Sequence, residues 1–147
     1  YIAAREKLYR EFGADRSNTQ LELLRVDSHL DSTLDRLRVL LAGRPVDFLF
    51  IDGDHSFDGV KRDFEMYSSL VAPGGLVAFH DINTRGKGHD VQRYWTSLRS
   101  AHNVEEIIDD PASEEYGIGL IRMPKQIPTA AATTRGSSCV AIAHSAF

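Results

Sequence analysis

The chain has 147 residues, of which 42% are hydrophobic and 26% charged, with a net charge of -4 and one cysteine. These values are typical of one globular domain; they exclude a largely disordered chain and an internal disulfide, and argue against a basic nucleic-acid-binding surface. No apolar run approaches the length of a membrane span.

The first part of the chain predicts two helices and a strand between them. Residues 2–12 and 30–41 have apolar side chains at helical spacing, and a glycine follows each segment as a stop. Residues 21–26 predict a short strand. A helical pattern at the start, in place of a signal peptide, predicts a cytoplasmic protein. The chain has no initiator methionine, so we expect it to start inside a longer protein.

Strands and helices alternate through the rest of the domain. Residues 46–51 and 76–79 are almost entirely apolar, as strands buried on both faces are. Helical spacing of apolar side chains predicts helices at residues 58–71 and 91–101. The last two predicted strands are residues 104–108 and 118–123. From Pro124 onward the sequence has no reliable period, so residues 1–123 are predicted to form the domain and residues 124–147 a disordered tail.

This alternation predicts an α/β fold, a doubly wound, Rossmann-like and mostly parallel sheet with helices on both faces. Residues 46–51 and 76–79 are expected to be adjacent, parallel, central strands joined by a right-handed crossover. In such sheets ligands bind beyond the carboxyl ends of the strands. The residues that follow each predicted strand are therefore the candidates for a functional site.

Ionisable side chains follow both buried strands directly. Asp52 and Asp54 flank Gly53 at the end of the first, and His80 and Asp81 end the second. Carboxylates suit Mg²⁺, and Mn²⁺ or Fe²⁺ become suitable if an imidazole joins them. The alternative is that these acids cap the helices that follow. Because both strands end in such groups, we favour one cation shared by Asp52, Asp81 and either Asp54 or His80.

The candidate general base is His55. An imidazole titrates near neutral pH, so it suits proton transfer from a hydroxyl substrate bound at a metal. The alternative is a histidine bonded to backbone at the start of the next helix. His29 and His89 are predicted to be surface loop residues, and His102 and His144 carry no functional signal.

A family resemblance is carried by residues 46–82, VDFLFIDGDHSFDGVKRDFEMYSSLVAPGGLVAFHDI. This segment resembles class I S-adenosylmethionine-dependent methyltransferases, above all a bacterial small-molecule branch with cephalosporin-hydroxylase-like and macrolide-sugar O-methyltransferase-like members. FIDGDHS and GGLVAFHD are its most specific parts, and the wider match covers residues 2–123. The resemblance implies a seven-stranded sheet with one antiparallel strand near its edge.

The resemblance also implies that the chain is the C-terminal part of such a domain. The family's first two strands, the Gly-rich cofactor turn and the acid that holds the ribose have no counterpart and would precede Tyr1. Without them, the strand at residues 46–51 is expected to have an exposed apolar edge. We therefore expect these 147 residues alone to bind S-adenosylmethionine weakly or not at all.

Roles for individual residues follow from the same resemblance. In related metal-dependent O-methyltransferases an acid ends the fourth strand, where Asp52 stands, and an acid–acid or acid–amide pair ends the fifth. His80 and Asp81 match that pair, although His80 departs from the usual acid. His55 stands where catechol-type relatives often have a lysine base. The residues implied to border the cofactor are Asp27 and Ser28, on the adenine side, and Asp52.

These observations together predict an O-methyltransferase that uses S-adenosylmethionine and a divalent metal, Mg²⁺ first, to methylate a hydroxyl of a small molecule. The metal would bind the acceptor oxygen and His55 would take its proton. Two alternatives are an inactive or truncated methyltransferase-like fragment and a hydroxylase-like metal-dependent relative. The expected partner is a small-molecule acceptor, with no nucleic acid and no membrane; the acceptor's identity and the oligomeric state are not predictable from the sequence.

Overall fold

The computed structural model describes residues 21–86, 88–125 and 138–143, together with Lys7, Leu8 and Glu11. Most of the helix predicted at residues 2–12 lies outside the described residues, as does most of the predicted tail. Among the helices that the structure describes, none is long and apolar enough to cross a membrane.

The described helices and strands alternate as the sequence predicts. In chain order they are α1 (Asp31–Leu41), β1 (Val46–Asp52), α2 (Phe57–Tyr67), β2 (Val71–His80), α3 (Val91–Arg99), β3 (Val104–Ile107), β4 (Ile118–Arg122) and β5 (Cys139–Ala143). A 3-10 turn, Ser68–Leu70, joins α2 to β2. Each helix and strand predicted between residues 30 and 123 is therefore present, with small shifts of its ends.

Two predictions from the sequence are wrong in detail. Residues 21–26 form no strand, because the segment has no neighbouring strand among the described residues to satisfy its backbone groups. β2 begins at Val71, five residues before the predicted start of that strand at residue 76, so Pro73-Gly74-Gly75 lies inside the strand. The register with β1 is irregular between Val46 and Phe48, which accommodates the proline and the glycines within the pairing.

The strands form one mixed sheet with the order β3-β4-β2-β1-β5. β1 pairs in parallel with β2 on one side and with β5 on the other, whereas β4 is antiparallel to β2 and to β3. The prediction that residues 46–51 and 76–79 are adjacent, parallel and central is confirmed. The fold is α/β and Rossmann-like, with its antiparallel strand near one edge.

The core lies where α2 and α3 pack against β1 and β2. Leu49, Val77 and Phe79 are almost fully buried, as expected for central strands covered on both faces. Trp95 of α3 is 1% exposed, and its ring centroid lies 5.5 Å from that of Phe79. Gly119 of β4 lies directly against the Trp95 ring, so closely that an added Cβ would approach ring atoms to 2.6 Å. This packing fixes α3, and with it the segment that precedes α3, against the sheet.

β5 contradicts the prediction that the whole C-terminal segment is disordered. Cys139–Ala143 lie within the predicted disordered tail, yet they form a strand whose register pairs Phe50 with Ala141 and Ile51 with Ile142. The physical reason is the apolar edge of β1, because an unpaired strand edge is a template for any apolar extended segment. The edge that we expected to be exposed is therefore covered by the chain itself.

The contribution of β5 is testable at Ile142, which is 9% exposed and lies against Gly53, where an added Cβ would be 3.1 Å from its Cγ2. We expect Ile142→Ala to lower the free energy of unfolding by about 2 kcal/mol, because the truncation leaves a cavity beside β1. Val39→Ala is the matched control, since Val39 is 78% exposed. Equal denaturation midpoints for the two variants would contradict the packing described for β5.

Candidate active site

The site begins where the two central strands end. Ile51 pairs with Phe79 in the parallel register, so the next residues along each strand, Asp52 and His80, emerge side by side at the carboxyl edge. His80 Nδ1 lies 3.4 Å from Asp52 Oδ1 and 3.0 Å from Asp81 Oδ1. The carboxyl edge of the sheet thus brings Asp52 of β1 next to His80 and Asp81 at the end of β2, as the sequence predicts.

The spacing of these three groups fits a divalent cation. Asp52, His80 and Asp81 each offer one ligand atom, and these atoms lie within 4.8 Å of one another. Ligands at 2.0–2.1 Å in an octahedron around Mg²⁺ are separated by about 3 Å along an edge. Among the described residues, His80 Nδ1 is buried and makes no hydrogen bond, although carboxylate oxygens of Asp52 and Asp81 lie 3.4 Å and 3.0 Å away. A buried nitrogen of this kind is costly unless it has another use, and metal ligation is such a use.

Asp81 is held in the site by its backbone and by a hydrogen-bond chain. Its φ of 62° is in the left-handed region, which costs a non-glycine residue about 1 kcal/mol or more. The Thr84 hydroxyl donates to Asp81 Oδ1 at 3.1 Å and accepts the backbone N–H of Tyr116 at 2.8 Å. Supporting bonds of this kind orient metal-ligating carboxylates. Asp81 is 6% exposed, so its carboxylate is a fixed and largely dry group.

His55 faces the same carboxylates from the loop after β1. Its Nε2 lies 3.4 Å from Asp52 Oδ1, and its Nδ1 lies 3.6 Å from Asp81 Oδ2. The carbonyl of His55 accepts the backbone N–H of Asp90 at 2.8 Å. The imidazole is therefore beside the candidate cation site, which is the position that a general base requires.

Asp54 stabilises the loop before α2 and does not join Asp52 in the candidate cation site. Its Oδ1 accepts the backbone N–H of Ser56 at 2.8 Å, and the Ser56 hydroxyl in turn accepts from Gly59 N at 3.1 Å as the N-cap of α2. Asp54 is absent from both groups of described residues that could hold a metal. Of the two candidates for the third ligand, the structure brings His80 to Asp52 and Asp81. Ser56 is the residue that caps α2, and Asp54 holds Ser56 in place through its backbone N–H.

Asp27 and Ser28 lie in the loop that precedes α1. Asp27 Oδ1 accepts the backbone N–H of His29 at 2.8 Å, and the Asp27 carbonyl accepts the Thr33 hydroxyl at 2.7 Å. The Tyr67 hydroxyl donates to the Ser28 carbonyl at 2.5 Å. These bonds fix the loop to α1 and α2. The assignment of Asp27, Ser28 and Asp52 to cofactor binding stays a prediction.

One functional candidate was missed in the sequence, Asp63 on the buried face of α2. It is 0% exposed, and neither carboxylate oxygen has a hydrogen-bond partner in the described part of the chain. His29 Nε2 lies 3.4 Å from Asp63 Oδ1, so His29 is half-buried and not the surface loop residue that was predicted. The available signal was the spacing of Val60, Asp63, Phe64 and Tyr67, which puts an acid among apolar residues on one helix face.

Burial raises the pKa of the Asp63 carboxyl above its ordinary value, and the nearby Ser28 and His29 offset only part of that effect. The native state therefore holds this proton more tightly than the unfolded chain, so the free energy of unfolding falls as the pH rises from the unfolded to the folded pKa. We expect Asp63→Asn to be more stable than the wild type at neutral pH, with the difference closing toward acid pH. Thermal unfolding across this range, with the exposed Asp35→Asn as control, is the measurement. An Asp63→Asn variant that is less stable at neutral pH would show that the charged form is favoured.

The comparison with family models decides the assignment. Residues 3–82 match the model of a methyltransferase domain, which is more than half of the chain and includes β1, α2, β2 and the side chains of Asp52, His55, His80 and Asp81. The chain belongs to the methyltransferase-domain family. The resemblance to class I methyltransferases seen in the sequence is thereby confirmed.

Two relatives of this methyltransferase domain have no described function. An uncharacterised protein of Sinorhizobium fredii is 33% identical over 82 residues, which are 56% of this chain and 8% of that protein. An uncharacterised protein of Acanthamoeba polyphaga mimivirus is 47% identical over 71 residues, which are 48% of this chain and 28% of that protein. The chain thus spans a small part of the length of each of these relatives.

A solved structure supports the fold of the methyltransferase domain. The crystal structure described as that of a caffeoyl-CoA O-methyltransferase from Staphylococcus aureus superposes with a TM-score of 0.53 and 17% sequence identity. The superposition covers 81% of this chain and 57% of that one. At this identity the likeness shows the fold, and the chemistry has to be argued from the side chains at the sheet edge.

Proposed function

We propose that this methyltransferase domain transfers a methyl group from S-adenosylmethionine to a hydroxyl of a small molecule, with a divalent cation held by Asp52, His80 and Asp81. The observation that carries the proposal is the convergence of those three side chains at the carboxyl ends of β1 and β2. Ligands of open α/β sheets bind at that edge, and in a methyltransferase domain it is the place for the acceptor and the cofactor.

The donor set suits a hard cation that accepts one nitrogen. Two carboxylates and one imidazole match Mg²⁺ or Mn²⁺ better than a soft metal. Such a cation supplies a Lewis acid that makes the acceptor hydroxyl more acidic. Asp81, which is buried and held by Thr84, fixes one ligand in place, and Asp52 closes the group from β1.

His55 takes the proton of the acceptor hydroxyl in this proposal. Its two ring nitrogens lie 3.4 Å and 3.6 Å from carboxylate oxygens of Asp52 and Asp81. Those carboxylates stabilise the imidazolium that forms when His55 accepts the proton. The acceptor oxygen forms a bond to the methyl carbon as the carbon–sulfur bond of the sulfonium breaks, and S-adenosylhomocysteine leaves.

The remaining contribution of the protein is to place the two reactants in line, which is a large part of the rate enhancement of such a transfer. Asp27 and Ser28 are proposed to border the adenine. The Tyr67 hydroxyl bond to the Ser28 carbonyl and the Thr33 bond to the Asp27 carbonyl hold that loop in one conformation, which lowers the entropic cost of ordering it around a cofactor.

The proposal is tested with the protein that contains the domain, by measuring S-adenosylhomocysteine release with a panel of sugar, phenol and polyketide hydroxyl acceptors. We expect release that depends on a divalent cation and is lost with a chelator. Cofactor binding by isothermal titration separates the steps. Binding without turnover would point to an acceptor outside the panel, so the panel is extended with amine and thiol acceptors; methylation of those alone would overturn the hydroxyl assignment.

A further inference from the structure

A second set of ligand atoms lies next to the first. His55, Asp81 and His89 each offer one ligand atom, and these atoms lie within 4.8 Å of one another. The rings of His55 and His89 are 5.2 Å apart between centroids. Only Asp81 belongs to both sets, so each set has two ligands of its own.

The two carboxylate oxygens of Asp81 face different sets. Oδ1 lies 3.0 Å from His80 Nδ1, whereas Oδ2 lies 3.6 Å from His55 Nδ1. A carboxylate oriented in this way bridges two cations at the separation of about 3.5–4 Å found in two-metal sites. The carboxylate that anchors the first site is therefore also placed to anchor a second.

His89 is not on a loosely held loop. Its backbone N–H donates to the Gly86 carbonyl at 3.2 Å, and the next residue, Asp90, donates its N–H to the His55 carbonyl at 2.8 Å. Asp90 is the N-cap of α3, the helix that Trp95 fixes in the core. This backbone hydrogen bond joins His55 to the residue that follows His89. It therefore holds the segments that carry the two histidine rings next to each other.

We propose that His55, Asp81 and His89 form a second cation site, which takes a borderline transition-metal ion such as Zn²⁺ or Co²⁺. Two imidazoles and one carboxylate suit such ions and are poor ligands for Mg²⁺. Three protein ligands leave a coordination position open to solvent, since His89 is exposed. The first site, with two carboxylates, keeps its preference for a harder ion.

The second site has a consequence that rests on the proposed function. A His55 nitrogen bound to a metal has no lone pair for the proton of the acceptor. Zn²⁺ in the second site therefore inhibits methyl transfer in the presence of saturating Mg²⁺, and the site makes the reaction sensitive to transition-metal ions.

Metal binding is tested on the chain itself by titration with Co²⁺, followed by visible absorption and by isothermal titration calorimetry. We expect two equivalents in the wild type. His89→Ala should lose one of them, with affinity at that site reduced at least about tenfold, and Asp52→Ala should lose the other. His102→Ala is the matched control, because His102 belongs to neither ligand set, and circular dichroism checks the fold of each variant.

Two results would overturn the second site: a His89→Ala variant that binds Co²⁺ as the wild type does, and an equal loss in His102→Ala, which would indicate adventitious binding to histidines. Inhibition is measured separately, as each variant's rate with Zn²⁺ divided by its own rate without it. If His89→Ala loses Co²⁺ but Zn²⁺ does not inhibit the wild-type protein, the second site stands and the role of His55 as the base is wrong.

Discussion

Asp52→Ala is expected to lower kcat for methyl transfer by at least about a hundredfold, the scale on which loss of one preorganised group at a developing charge acts. The carboxylate of Asp52 is one of three ligands in the first site and lies 3.4 Å from both His80 Nδ1 and His55 Nε2. Removal of this carboxylate weakens binding of the cation. It also removes one of the negative charges that stabilise the protonated His55. Release of S-adenosylhomocysteine at increasing Mg²⁺ concentrations is the measurement.

The matched control for Asp52 is Asp35→Ala, an exposed acid on α1 whose side chain is 70% exposed. Because Asp52 is also proposed to border the cofactor, the dissociation constant of S-adenosylmethionine is measured on both variants. A loss of kcat with unchanged cofactor affinity supports the metal role. Full activity of Asp52→Ala at high Mg²⁺ would reject the metal-assisted mechanism and leave the family assignment intact.

The largest effect on stability is expected for Trp95→Ala, at about 3–5 kcal/mol. Trp95 is 1% exposed, and its Nε1 donates a hydrogen bond to Glu106 Oε1 at 2.6 Å. The backbone of Gly119 packs directly against its ring. The substitution leaves a large cavity and removes the hydrogen bond to Glu106 Oε1. Since domains of this size are stable by only about 5–15 kcal/mol, the denaturation midpoint should fall sharply.

Ile107→Ala is the control for the tryptophan, because Ile107 is 61% exposed on β3. Gly119→Ala provides an opposite test of the same contact, since the added Cβ meets the ring at 2.6 Å and overpacking also destabilises. Chemical denaturation followed by circular dichroism measures all three. A Gly119→Ala variant as stable as the wild type would show that α3 can move away from the sheet at little cost.

The central part of the fold was predictable because its signals are local and strong. The apolar runs that became β1 and β2 are too short for helices and too continuous for half-buried strands. The juxtaposition of Asp52 with His80 and Asp81 followed from one topological rule, that adjacent parallel strands end at the same edge. No side-chain geometry was needed to predict it.

The features missed in the sequence depend on contacts between distant segments. Residues 21–26 have strand-like composition but no partner among the described residues, and composition does not reveal partners. His89 gains its place only because α3 packs against the sheet and its N-cap residue, Asp90, is bonded to the His55 carbonyl. Asp63 was the exception, since its helical spacing with Val60, Phe64 and Tyr67 was visible in the sequence.

The pairing of β5 with β1 joins two segments that lie far apart in the sequence. The Ser138 N–H donates to Asp47 Oδ2 across 91 residues of sequence, so the β1–β5 pair closes one of the longest loops in the chain. Such contacts form slowly, because the entropy of closing the loop is lost before the strand pair stabilises it. During synthesis β1, α2 and β2 all leave the ribosome before Cys139 does. In that interval the β1–β5 pair cannot form, so this side of the sheet is completed only after Cys139–Ala143 have been synthesised.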